Sequence, residues 1–446
     1  MQEAMTKTKD NTTTQLGYVT YMECLNCGEH YSLEKLTADQ GTTMVNMCYE
    51  SCFGPLDIKY DYDKIRETLT EKELRRRPET FWRLRELLPV NRVHIKDRPY
   101  TPLVEGKKIG EELGIRLFFK LDCDSANPTQ SFKDRPVALA FNKALEAGYG
   151  TVYVASTGNL AIASAYLAKE TRIKPKVYVP KSLGKVKKDA IRAYLPRPED
   201  LIELDCSYDD TNVKAMEDCQ KANEQELSRT GRVRSFVPNN SFRPYYKEGS
   251  KTSGTEIAFQ IKAKLGGEEK LHLIYPLGSG ALFCSAHKGI KELASLGLFD
   301  NPVRMWGAQS EVCAPIIDAI PSGSITPVRK PQTIAKSIAI GNPGSGYQTL
   351  DVMKESGGGG WKVSEKEIFQ NVLDLYFTEG IFAQFVAGVT LAGVRKGVAC
   401  GDIKEGDVVV ANITGTGKGR IEDDVLEYAQ RFGLEEQAKE MIAGVS

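Results

Sequence analysis

The 446 residues carry no excess of either charge, since lysine plus arginine and aspartate plus glutamate both number 59. Such a balance gives nucleic acid or an anionic membrane surface no electrostatic hold as the main partner. No apolar run approaches the length of a bilayer span, and the polar N-terminus lacks the apolar core of a secretory signal. No internal repeat is evident. The ten cysteines are mostly scattered without a disulfide-like spacing, so a reducing, cytoplasmic location is expected. A run of four glycines at 357–360 lacks the lysine and hydroxyl residue of a nucleotide-binding loop and reads as a flexible surface loop.

What is present is an ordinary globular composition, 41% hydrophobic and 26% charged, on a chain too long for one core of usual size. Two domains with an appendage are expected. Residues 1–18, rich in Thr, Lys, Gln and Asn, read as a mobile tail. In 19–60 the pair Cys24 and Cys27 precedes Cys48 and Cys52 by some twenty residues. Four thiolates so spaced resemble a zinc ribbon, although the second pair carries one extra residue. Four reduced cysteines on a folded-back hairpin is the alternative. His30 reads as a surface residue, the span from 60 to 95 as charged and helical, and Arg75, Arg76 and Arg77 as a solvated face. From about residue 100 strands and helices alternate. Apolar strands fall at 117–121, 151–155, 176–180, 201–205, 233–237, 271–276, 303–309 and 408–413. Short connections between them argue for parallel sheets covered on both faces, an α/β fold.

The stretch Asn127-Pro128-Thr129-Gln130-Ser131-Phe132-Lys133-Asp134-Arg135 lies between such a strand and a periodic helix. Asn-Pro signals a turn, Ser131 fits an N-cap, and Pro136 is tolerated in a first helical turn. Lys133 then sits at a helix N-terminus, where the dipole opposes a positive charge and favours an amine able to attack an aldehyde. Three strand-to-helix turns complement it, and such turns line the ligand crevice of open α/β sheets. Backbone N–H groups at the helix start after 151–155, with the hydroxyls of Ser156 and Thr157, can hold a carboxylate, and the Asn159 amide can reach a ring or phenolic oxygen. Gly278, Ser279, Gly280, Ala281 and Leu282 form a glycine-rich turn that can cradle a phosphate. Thr414, at the head of the turn 414–419, can bond a heteroaromatic nitrogen without forcing a proton onto it. An aldehyde trap, an amide, a phosphate cradle and a hydroxyl together describe a site for pyridoxal 5'-phosphate.

With these loops in place, residues 90–425 resemble the threonine synthase family of fold type II pyridoxal-phosphate enzymes. The order and spacing of 127–135, 155–159, 240–252, 307–311, 337–343, 379–382 and 414–415 carry the resemblance. It implies a tryptophan synthase β-like architecture of two parallel-sheet domains, a large one from 61–134 with 246–446 and a small one from 135–245. It implies that Lys133 holds the cofactor and later moves protons, that Asn159, the turn 278–282 and Thr414 bind it, that Ser156, Thr157 and Asn159 grip the substrate carboxylate, and that the enzyme is a homodimer. Asn240, Ser241, Arg243 and Lys251 become candidates for a substrate phosphate, Arg243 offering the planar fork that suits it. The implied reaction turns O-phosphohomoserine and water into threonine and phosphate.

The chain departs from the family pattern at Gln130, where glycine is usual, at Pro136, at Ala383-Gln384-Phe385-Val386 and at Thr416-Gly417-Lys418-Gly419. Changes at cleft positions alter which acceptor or leaving group fits. A diverged paralogue is therefore the alternative, a β- or γ-replacement enzyme on a phosphorylated amino acid, as in cysteate synthases. A threonine or serine dehydratase is disfavoured because 240–251 reads as built for a charged substrate.

Overall fold

The computed structural model describes residues 16–32, 48, 52, 54–239 and 243–445. Wholly apolar runs become the central strands, because only a strand covered on both faces can bury every side chain. β10 (Leu271–Pro276) and β13 (Val408–Ile413) are buried along their whole length. They pair in parallel and are flanked by β11 (Val303–Ser310) and β5 (Arg116–Leu121). β12 (Gly359–Val363) and the antiparallel β4 (Leu103–Glu105) close the edges, giving the order β12-β11-β10-β13-β5-β4. A second, all-parallel sheet has the order β8-β7-β6-β9, from β6 (Thr151–Ala155), β7 (Lys174–Pro180), β8 (Leu201–Leu204) and β9 (Ser235–Phe236).

The helices that pack beside these sheets are buried almost all round, polar residues included. Asp134–Glu146, Asn159–Thr171 and Arg243–Lys262 are buried over most of their length. The third packs against the first and against Ala281–Ser295, with glycine at both crossings. A Cβ on Gly249 would stand 2.7 Å from the Arg135 carbonyl oxygen, and one on Gly254 would collide with that of Ala286. Among the described residues no helix is long and apolar enough to cross a membrane.

The N-terminal strands β1 (Val19–Cys24), β2 (His30–Ser32) and β3 (Leu56–Tyr60) form a separate antiparallel sheet, β2-β1-β3. Its inner face, with Met22, Leu56 and Ile58, joins the main apolar core, and polar groups tie it down further. Tyr60 Oη donates to Glu248 at 2.6 Å, and Lys288 Nζ reaches Asp57 at 2.7 Å and Glu248 at 2.6 Å.

Three expectations are corrected. The glycines at 357–360 are not a surface loop, because Gly359 begins the edge strand β12. A Cβ on Gly360 would stand 2.5 Å from the Gly307 carbonyl oxygen, so glycine there serves close strand approach. Arg77 is no solvated charge; it forks onto Glu86 through two bonds of 2.8 Å. The span 60–95 is helical only at Tyr62–Thr68, Glu71–Arg76 and the short turn Arg85–Leu87. Most of the expected mobile tail, residues 1–15, lies outside the described residues.

Candidate active site

The lysine-bearing loop leaves β5 and is pinned by its own polar residues. Asn127 Nδ2 donates to the carbonyls of Asp122 and Ser131, at 2.9 and 3.2 Å. Thr129 donates from its backbone (2.9 Å) and its hydroxyl (2.8 Å) to Asp134. Burial pushes the Asp134 carboxyl up to about 6, against those two bonds. Arg135 anchors the helix start on Asp122 at 2.8 Å and Glu256 at 2.5 Å. Lys133 itself, rather than Ser131, occupies the cap position of the helix Asp134–Glu146. Ser131 is wholly buried, and among the described residues its hydroxyl has no hydrogen-bond partner. Lys133 Nζ donates to Tyr246 Oη at 2.9 Å and lies 5.4 Å from that ring's centre.

This loop lies edge to edge with the turn that follows β13. Phe132 N donates to the Thr414 carbonyl and Thr416 N to that of Gln130, both at 2.9 Å. A third segment joins them, through Gln384 N to the Gly415 carbonyl (3.1 Å) and Gly417 N to that of Phe382 (3.0 Å). Gln384 and Asn159 exchange side-chain amide bonds of 3.3 and 3.1 Å. Arg420 Nε also donates to Asn159 Oδ1, at 2.9 Å, while burial works against its charge. Thr157, Gly158, Asn159, Gln384 and Arg420 line one cleft of about 520 Å³ between the two sheets. Ser156 is buried, and its hydroxyl accepts from Gly158 N at 3.3 Å.

The turn 278–282 leaves the carboxyl end of β10 and opens the helix Ala281–Ser295. Gly280 adopts φ +82°, a left-handed conformation, and a Cβ there would collide with Thr349 Oγ1. Ser279 O accepts from Ser345 N at 2.9 Å, and Ser279 Oγ from Ala281 N at 3.4 Å. Leu282 packs partly buried against the core.

Of the four expected phosphate-site residues, Arg243 is exposed at the start of its helix, its guanidinium beside Gly344. Asn240 and Ser241 lie outside the described residues. Lys251 is a correction: it is 1% exposed and its ammonium is consumed in the core. It pairs with Glu248, with Glu292 at 2.7 Å and with the Leu87 carbonyl at 2.6 Å. A buried cation held by two carboxylates is a structural ion cluster, out of substrate reach.

The four N-terminal cysteines do converge. The Sγ atoms of Cys24, Cys27, Cys48 and Cys52 all lie within 4.8 Å of one another. Tyr31, donating to Cys48 Sγ at 3.2 Å, holds that thiol down to about 6. His30 is exposed and stacks on Tyr21 at 4.4 Å between ring centres.

The family model described as "Pyridoxal-phosphate dependent enzyme" matches residues 96–415. The chain belongs to that family. The threonine synthase of Methanosarcina acetivorans is 32% identical over 398 residues, covering 89% of this chain and 91% of that one. The threonine synthase of Methanocaldococcus jannaschii is 30% identical, covering 88% and 91%. Among solved structures, a processed threonine deaminase isoform from Solanum lycopersicum superposes with TM-score 0.58 at 20% identity, over 78% of this chain and 84% of that one. That likeness fixes the fold as the one shared by fold type II enzymes. The chain is thus a pyridoxal-phosphate-dependent lyase related to the threonine synthases.

Sequence reading did not pick Tyr246, Gln384 or Arg420, which touch the expected site residues. All three lie in or beside stretches already marked, 240–252, 383–386 and 416–419. For Gln384 and Arg420 the departures from the family pattern were the available signal, whereas Tyr246 lies in a stretch that follows the pattern and nothing singled it out. What they touch is set by tertiary contacts between segments more than 100 residues apart.

Proposed function

We propose that this enzyme converts O-phosphohomoserine and water into threonine and phosphate, using pyridoxal 5'-phosphate. The observation that carries the reading is the meeting of the Lys133 loop, Asn159 and the turn after β13, in a chain whose relatives over nearly its whole length are threonine synthases. The residues present suit the cofactor. Gly280 takes the left-handed conformation that opens the helix Ala281–Ser295, and a helix N-terminus after a glycine turn is a favourable place for a phosphate. The amine of Lys133 is available to its aldehyde, and Thr414 offers a hydroxyl to its ring nitrogen. When bound, the cofactor supplies an electron sink that acidifies the carbon next to the substrate's amino group.

The protein's own groups then divide the work. Lys133 takes a proton from that carbon and returns it later. Ser156, Thr157 and Asn159 hold the substrate carboxylate, and Arg243, with Asn240 and Ser241, receives the leaving phosphate. We read 61–134 with 246–446, and 135–245, as two domains that enclose the substrate, which keeps stray water from the reacting carbons. The four cysteines take a structural zinc, since four thiols so close match a closed tetrahedral site.

The burial of Lys251 removes one of the groups that argued against a dehydratase, so the test has arms for each reading. Purified holoenzyme is given O-phosphohomoserine, O-phosphoserine with sulfite, and threonine. Threonine and phosphate from the first alone are expected. A sulfonated amino acid from the second, or a keto acid and ammonia from the third, would replace the proposal. Lys133→Ala removes the visible absorbance band of the holoenzyme; its persistence would displace Lys133 as the attachment point.

A further inference from the structure

We propose that Tyr246 is a catalytic acid–base residue that relays a proton between Lys133 and the substrate, an inference that rests on the cofactor-bearing role of Lys133. Lys133 Nζ donates to the Tyr246 hydroxyl at 2.9 Å. In that arrangement the hydroxyl oxygen accepts, so its own hydrogen must point elsewhere. Among the described residues it has no protein acceptor, and both side chains are half-buried. A phenol whose oxygen is fed by an amine and whose hydrogen is unclaimed is oriented to deliver a proton. The tyrosine is held there by backbone. It lies one turn before Gly249, where the helix Arg243–Lys262 crosses the helix that Lys133 opens, close enough that a Cβ would stand 2.7 Å from the Arg135 carbonyl oxygen. Ser250 Oγ also bonds the Tyr246 carbonyl at 3.2 Å.

The step balances as follows. Lys133 carries an extra proton after taking one from the substrate carbon. The Tyr246 O–H passes its proton to an electron-rich substrate atom, and a proton on Lys133 Nζ moves to Tyr246 Oη. Lys133 ends as a neutral amine, Tyr246 as a neutral phenol, and the substrate atom gains one proton. No oxidant or further reactant is needed. Run backwards, the same pair withdraws a proton from an attacking water.

Tyr246→Phe removes only the hydroxyl and keeps the ring that packs beside Lys133. In the holoenzyme the visible band should remain, reporting that Lys133 still holds the cofactor. The pH midpoint of that band should shift, because Lys133 loses the oxygen that accepts its hydrogen bond. The kcat with O-phosphohomoserine should fall roughly 100-fold or more, the usual share of a positioned acid–base group, with KM changed by less than about threefold. Tyr246→His, which restores a titratable group, should recover part of kcat and move the pH optimum. An unchanged kcat or an unchanged midpoint in Tyr246→Phe overturns the relay while leaving the cofactor reading intact. A wild-type protein with no band that borohydride fixes onto Lys133 removes both.

Discussion

Gln130 stands at φ +55°, a left-handed conformation that costs a side chain with a Cβ roughly 1–2 kcal/mol. Its carbonyl accepts from Thr416 N, so the loop geometry is imposed by its neighbour and the position cannot relax. Gln130→Gly should therefore be close to neutral, the relief offset by a freer unfolded chain. Gln130→Val should destabilise by about 1–3 kcal/mol in denaturant unfolding, because a β-branched residue tolerates this region least. Equal stabilities for the two variants would contradict the argument. Lys251 makes the complementary case. Lys251→Ala leaves Glu292 buried with Lys288, 3.9 Å away, as its remaining cation, while Glu248 keeps Lys288 at 2.6 Å, and should cost about 3 kcal/mol of stability. Arg243→Ala should instead raise KM for a phosphorylated substrate and leave the unfolding midpoint nearly unchanged. A raised KM in a stable Lys251 variant would return that lysine to the substrate site.

Among the elements, the helix Arg243–Lys262 sets the spacing of the whole site. It touches the helix begun by Lys133 on one side and the helix begun by the glycine turn on the other. Gly254→Val should force that second crossing apart and destabilise by about 1–3 kcal/mol or more, read from thermal unfolding. The same helix holds the N-terminal sheet through Glu248, Lys288 and Asp57. Burial raises the Asp57 carboxyl, but Lys288 and then Lys59 outweigh it and hold the group well below the usual carboxylate range. The folded state thus gains from ionised Asp57 at any pH above the unfolded value of roughly 3.9, and loses that gain as pH falls through the lower folded value. The unfolding temperature should drop on acidification below about pH 4. Asp57→Asn should be less stable at pH 7 and show a shallower acid limb; an acid limb as steep as wild type would remove Asp57 from the account.

At the scale of the molecule, a sheet of three short strands has little core of its own and leans on the cysteine cluster and on buried ion pairs. Chelator treatment should release one zinc per chain and lower the stability of the N-terminal sheet, read by hydrogen exchange in 19–32 and 56–60. A metal-free protein with unchanged exchange there would contradict the zinc reading. The loss should not reach the central six-stranded sheet, whose inner strands are buried on both faces.

Much of this protein was set by the sequence alone. Apolar runs dictate the strands at 151–155, 271–276 and 408–413, since nothing but a doubly covered strand buries such a run. Turn residues after them dictate where chemistry can sit, and the cysteine spacing already brought four thiols together. The tertiary structure decided what each polar group faces. It sent Lys251 into the core, drew Gly359 and Gly360 into a sheet edge, and set Tyr246, Gln384 and Arg420 against the residues the motifs had marked. The physical reason is range. Strand and turn propensities act within a few residues, whereas the partner of a buried charge or amide is chosen by packing across hundreds.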